Sequence, residues 1–137
     1  MVPESQKSDC AILVEDSGLF IDSLEGFPGT YSSFVFRKIG VDGILRLMNG
    51  NKMKGCEYRA VSVLVIGERK IIAKGVCRGK ISEKISGTGG FGYDPIFVPD
   101  DSDGRSFAQM SREEKSSISH RGKSLKALSE AISSPSM

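Results

Sequence analysis

Short β-branched runs, amphipathic stretches and glycine-rich breaks succeed one another along the chain. The opening MVPESQKSD is polar and holds a proline, which reads as a weakly structured lead-in over 1–9. Residues 10–14 form an apolar run that predicts a buried strand ending at the acidic pair Glu15 and Asp16. EDSG would then stand at a strand's carboxyl end, where open α/β sheets bind ligands. Residues 19–21 read as extended chain, and the proline and glycines of 25–29 predict a turn. Apolar residues recur at helical spacing over 32–39 and again over 42–48, with Gly40 and Gly50 where C-caps belong, so two short helices are predicted. Residues 58–66 are rich in β-branched side chains, 67–69 (GER) resemble a hairpin turn, and 70–76 read as the returning strand, which 80–85 would extend. A strand over 95–98 and a polar turn over 99–105 follow. Ser111 with Glu114 three residues on matches a capping box. A final helix over 119–132 takes Ser119 as N-cap and places Leu125, Leu128 and Ile132 on one face.

The 137 residues suit one domain, taken as 10–132 with a tail at 133–137, and a hydrophobic fraction of 39% with 26% charged residues is ordinary for a globular protein. A net charge of +2 gives no electrostatic reason to expect nucleic-acid binding. Cys10, Cys56 and Cys77 are odd in number, far apart and without zinc-site spacing, so a reducing compartment is the default. No run approaches the ~20 apolar residues that span a bilayer. A cytoplasmic protein with no membrane partner is expected.

Three segments carry candidate chemistry. In LVEDSGL at 13–19, one of the adjacent carboxylates Glu15 and Asp16 could hold a divalent metal while the other orients or deprotonates a water, with Ser17 and Gly18 offered to phosphate oxygens. The same residues also suit a common acidic turn. GTGGFGYDP at 87–95 lacks the Walker A lysine and the dinucleotide-binding spacing. Its Phe91 and Tyr93 flank Gly92, and base–aromatic stacking is worth roughly 1–3 kcal/mol. Asp94 could cap a turn or accept from a base N–H. Lys115, His120 and Arg121 supply donors that suit a purine carrying an oxo group at position 6, though a solvated helix start is the plain alternative.

LVEDSGLFIDSLEGFPGTYS, GTGGFGYDPIF and FAQMSREEKSSISHRGKSLKAL, in this order, resemble the noncanonical purine NTP pyrophosphatases, the inosine triphosphate pyrophosphatase family, over about 10–132. The resemblance implies an α/β homodimer with an elongated, twisted mixed β-sheet flanked by helices. It also implies Mg²⁺-dependent hydrolysis of ITP, dITP and XTP to monophosphate and pyrophosphate, cleansing the nucleotide pool. On this pattern Asp16 is the catalytic acid position acting on water near the metal, Glu15 a metal neighbour and Ser17 a substrate contact. Phe91, Gly92, Tyr93 and Asp94 match the base loop, and Lys115, His120 and Arg121 the contacts that select the 6-oxo purine.

The family's members begin with a phosphate loop, T/S-G-N-x-x-K, and a metal-binding glutamate upstream of EDSG, whereas only fifteen residues precede Asp16 and MVPESQKSD matches neither. The chain is therefore expected to be N-terminally truncated relative to the family, as a fragment or a short form, with part of a sheet edge uncovered. Gln109 and Ser116 stand where an acid and an asparagine are more usual. Two alternatives follow: a truncated, inactive nucleotide-binding or dimerisation module, and a related pyrophosphatase for modified pyrimidine nucleotides.

Overall fold

The computed structural model describes residues 11–133, so the expected lead-in, Cys10 and nearly all of the expected tail lie outside the described residues. Strands β1 (Ala11–Ile21), β2 (Gly55–Ile66), β3 (Arg69–Ile81) and β4 (Phe97–Pro99) form one sheet in the order β1-β2-β3-β4. Each neighbouring pair is antiparallel. Where the resemblance implies a mixed sheet, the described strands carry no parallel pair. The β2–β3 link explains part of this, because Gly67 and Glu68 turn the chain in two residues, which only an antiparallel pair allows.

Helix α1 (Ser32–Met48) is broken at Gly40, whose φ of 62° lies in the left-handed region. The two helices expected on either side of Gly40 are thus present in a single kinked element. Helices α2 (Arg112–Ile118) and α3 (His120–Ser133) meet at Ser119. Ser111 and Glu114 form the expected capping box, and the Ser119 hydroxyl accepts from the Gly122 amide at 3.0 Å.

One sheet face is buried and the other open. On β3 the residues Ala73, Cys77 and Ile81 point inward while Ile72 and Val76 are exposed, the period-2 alternation of a one-sided sheet. The core gathers Leu19, Ile21, Ile44, Met48, Tyr58, Phe97 and Phe107 between the sheet and its covering helices and turns. β1 is an edge among the described residues, and Ile12, Leu13 and Val14 are exposed on it.

The run over 10–14 was expected to be a buried strand, yet its described residues are exposed at the start of β1, and two further expectations are corrected. EDSG does not end a strand: Glu15, Asp16, Ser17 and Gly18 pair with Ser62, Val61, Ala60 and Arg59 in the middle of β1. The long, uninterrupted β2 supplies partners all the way to Ile21, and Gly18 passes under the Gly29 carbonyl, where a Cβ would stand 2.5 Å from the oxygen. On α3 the buried line is His120, Ser124 and Leu128, whereas Leu125 and Ile132 are exposed. A hydrogen bond of 2.8 Å between the Ser62 and Ser124 hydroxyls turns that face inward.

Candidate functional site

The first turn of α3 sits directly on β3 because residue 75 is glycine. A Cβ there would stand 2.1 Å from the His120 carbonyl oxygen and 2.5 Å from the Ser124 amide nitrogen. Glycine inside a strand commonly marks such close backbone approach. The contact fixes His120 and Arg121 beside a cavity of about 270 Å³ bordered by Ser17, Tyr58, Phe91, Asp94, His120 and Arg121.

Asp94 closes the glycine-rich loop upon itself. It is only 2% exposed, and it accepts from the Phe91 amide at 3.0 Å, from the Tyr58 hydroxyl at 3.2 Å and from the Lys115 ammonium. The glycine before Phe91 has a matching cause: at Gly90, φ is 68° and a Cβ would stand 2.2 Å from Asp94 Oδ2. Asp94 is therefore a turn cap, and its charge anchors Lys115. Tyr93 is buried, donates to the Ser32 carbonyl at 2.6 Å and meets the Phe36 ring edge-on. Burial pushes its hydroxyl pKa up to about 12. Phe91 is the exposed ring, 57% accessible, with Lys115 Nζ 4.3 Å and Arg121 Cζ 4.6 Å from its centre.

His120 lies flat against Tyr58, with ring centres 4.4 Å apart and an interplanar angle of 16°. It is 4% exposed, and its Nδ1 is buried without a hydrogen-bond partner. Burial first, then the charges of Arg121 and Lys115, lower its pKa to about 3, so the imidazole is neutral near pH 7. The unfolded chain, with an ordinary histidine pKa near 6.5, binds that proton more readily than the folded one. Stability contributed by the neutral ring is thus complete above about pH 6.5 and is lost as pH falls towards 3, by up to about 1.4 kcal/mol per unit. Melting temperature followed from pH 7 to pH 4 is expected to fall less steeply in His120→Phe than in the unsubstituted protein; parallel curves would contradict the buried neutral ring.

The acidic pair is divided between the two faces of β1. Glu15 shares a face with Ser17, and its Oε1 lies 2.7 Å from Arg121 Nε, an ion pair whose N–H is not directed at the oxygen. Arg121 also donates to the Ser17 hydroxyl at 3.3 Å. Asp16 is exposed on the opposite face, in a second cavity of about 300 Å³ that also takes in Thr30, Arg59 and Lys74. Ser17 and Gly18 border both cavities. Among the described residues no three His, Cys, Asp or Glu side chains gather into a metal cage. Magnesium, however, keeps most of its waters and takes one or two carboxylates plus substrate phosphates. The exposed Asp16 fits that role; Glu15 fits it only once released from Arg121.

The structure thus brings together Ser17, Phe91, Gly92, Tyr93, Asp94, Lys115, His120 and Arg121, and sets Asp16 apart on the far face. Sequence reasoning missed Tyr58, which carries no signal beyond its place in a β-branched run, and Gly75, whose isolation inside a strand was a usable one.

Residues 3–131 match the sequence profile of the Ham1 family. The chain belongs to the Ham1 family. It is 51% identical over 118 residues to a dITP/XTP pyrophosphatase of Pyrococcus horikoshii, covering 86% of this chain and 63% of that protein. With a dITP/XTP pyrophosphatase of Thermococcus kodakarensis the identity is 45% over 122 residues, 89% of this chain and 65% of the relative. The chain therefore spans less than two thirds of these relatives' length. Among solved structures, the Staphylococcus aureus Ham1 protein superposes with a TM-score of 0.81 at 27% identity, covering 89% of this chain and 66% of that one. A nucleoside-triphosphatase, dITP/XTP pyrophosphatase, of Mycobacterium abscessus gives 0.70 at 33% identity, with coverages of 86% and 66%. These neighbours bear out the expected α/β fold. No helix among the described residues is long and apolar enough to cross a membrane.

Proposed function

We propose that the protein hydrolyses noncanonical purine nucleoside triphosphates, ITP, dITP and XTP, to the monophosphate and pyrophosphate. The observation that carries this reading is the buried, neutral His120 with an unpartnered Nδ1, bordering a cavity beside Arg121 and the anchored Lys115. A buried unpaired polar atom costs about 1–3 kcal/mol, which a ligand atom would relieve. Arg121 and Lys115 meet a 6-oxo oxygen favourably and a 6-amino group badly, so adenine is rejected. Phe91 gives the base a ring at the pocket's mouth.

From this pocket the triphosphate would cross β1 at Ser17 and Gly18, which border both cavities, to reach Asp16 with Arg59 and Lys74 nearby. There the Asp16 carboxylate takes a proton from water as its oxygen attacks the α-phosphorus, and the bond to the pyrophosphate oxygen breaks. Mg²⁺, held by Asp16 and the substrate phosphates, would supply charge neutralisation for the leaving pyrophosphate. We place the protein in the cytoplasm and, as for the family resemblance, in a homodimer. Hydrolysis of a panel of ITP, dITP, XTP, ATP and modified pyrimidine triphosphates tests this reading. Preference for the three 6-oxo purines is expected, and equal or greater activity on the pyrimidines would overturn it.

A further inference from the structure

Tyr58 reaches both halves of the base pocket from beneath. It stands on β2, 6% exposed, with its hydroxyl donating to Asp94 Oδ1 at 3.2 Å and its ring stacked on His120 at 4.4 Å. The ring also packs on Phe97 at 4.3 Å and runs nearly parallel to Phe107 at 5.9 Å. Phenylalanine would fill this aromatic cluster equally well; the hydroxyl needs another explanation. It is buried, and Asp94 is the acceptor that satisfies it. Asp94 in turn holds the Phe91 amide and the Lys115 ammonium on its other oxygen.

We propose that Tyr58 is a positioning residue for recognition of the 6-oxo purine: its hydroxyl fixes the rotation of the Asp94 carboxylate, and through it the direction of Lys115, while its ring fixes the plane of the His120 imidazole. The inference rests on the base-pocket reading above and adds to it a residue that need not touch the nucleotide's selected atom. Burial raises the Tyr58 hydroxyl pKa well above its ordinary value, so it remains a donor across the working pH range. A carboxylate held on both oxygens has one orientation. Held on one oxygen it can turn, and Lys115 and the Phe91 amide turn with it.

The test compares the unsubstituted protein with Tyr58→Phe and Tyr58→Leu, using IMP and AMP as probes that cannot be hydrolysed to pyrophosphate. Tyr58→Phe keeps the ring and loses the hydroxyl. It is expected to weaken IMP binding about 10-fold with AMP binding unchanged, the scale of one lost hydrogen bond to a charged group. Amide exchange at Phe91 should quicken, and the melting temperature should fall by the several degrees that one lost buried hydrogen bond implies. Tyr58→Leu loses the His120 stack as well and should weaken IMP binding further. Unchanged IMP affinity together with unchanged Phe91 exchange in Tyr58→Phe would overturn the inference. An unsubstituted protein that binds neither nucleotide would overturn the base-pocket reading instead, and Phe91 exchange would still decide whether Tyr58 holds Asp94.

Discussion

Gly75→Ala is expected to unseat the C-terminal helix and remove nucleotide binding, although the substitution adds only one methyl group at a buried strand position. The added carbon would meet the His120 carbonyl oxygen at 2.1 Å, the Ser124 amide nitrogen at 2.5 Å and Lys123 Cβ at 2.9 Å. Two of these are backbone atoms, which cannot rotate away as a side chain can, so α3 must lift from β3. Overpacking of this kind costs typically 1–3 kcal/mol and occasionally more. In a domain of this size that lowers the melting temperature by on the order of 10 °C. Lifting α3 also breaks the Ser62–Ser124 hydrogen bond and carries His120 and Arg121 off the cavity wall. IMP affinity should therefore fall further than stability alone explains. Calorimetric melting and IMP titration of the variant check both parts; a melting point within about two degrees of the unsubstituted protein would show that α3 is not seated on residue 75.

Asp16→Asn is expected to remove turnover and leave binding intact. Asp16 is exposed on the face of β1 opposite to Glu15 and Ser17, so the amide changes nothing in the cavity that holds His120, Phe91 and Asp94. On the proposed function it does remove the proton acceptor and the negative charge offered to Mg²⁺. Loss of a general base typically lowers rate by about 10²–10⁴-fold. Single-turnover hydrolysis of ITP, paired with IMP titration of the same variant, separates the two effects. Full activity in Asp16→Asn would sink its role, and a lost affinity with intact turnover would place it in the base pocket instead.

Much of the fold was legible because its signals are local. The GER turn, the Ser111–Glu114 capping box, the Ser119 cap and the helical spacing either side of Gly40 are each set by a few neighbouring residues, and each stands where it was expected. What depended on distant partners was not legible. EDSG reads as a strand's end because acids and serine usually terminate strands, yet β2 offers a partner to every residue through Ile21. Leu125 and Ile132 read as core by spacing, but the Ser62 hydroxyl and the closeness of Gly75 turn Ser124 inward instead. In the site, residue types announced Asp94, Lys115, His120 and Arg121, and three-dimensional contact divided their labour. Asp94 caps and anchors, His120 is neutral and unpartnered, and Arg121 is shared between Glu15 and Ser17. Tyr58 stayed hidden because a tyrosine in a β-branched run looks like any other core ring.

On the proposed function, a 6-oxo purine is read on one face of β1 and its triphosphate is cut at the other, which is checked by incubating the protein with Mg²⁺ and ITP, with ATP in parallel, and resolving the products. IMP and pyrophosphate from ITP, with little from ATP, is the expected result. IDP and phosphate, or equal turnover of ITP and ATP, would contradict it.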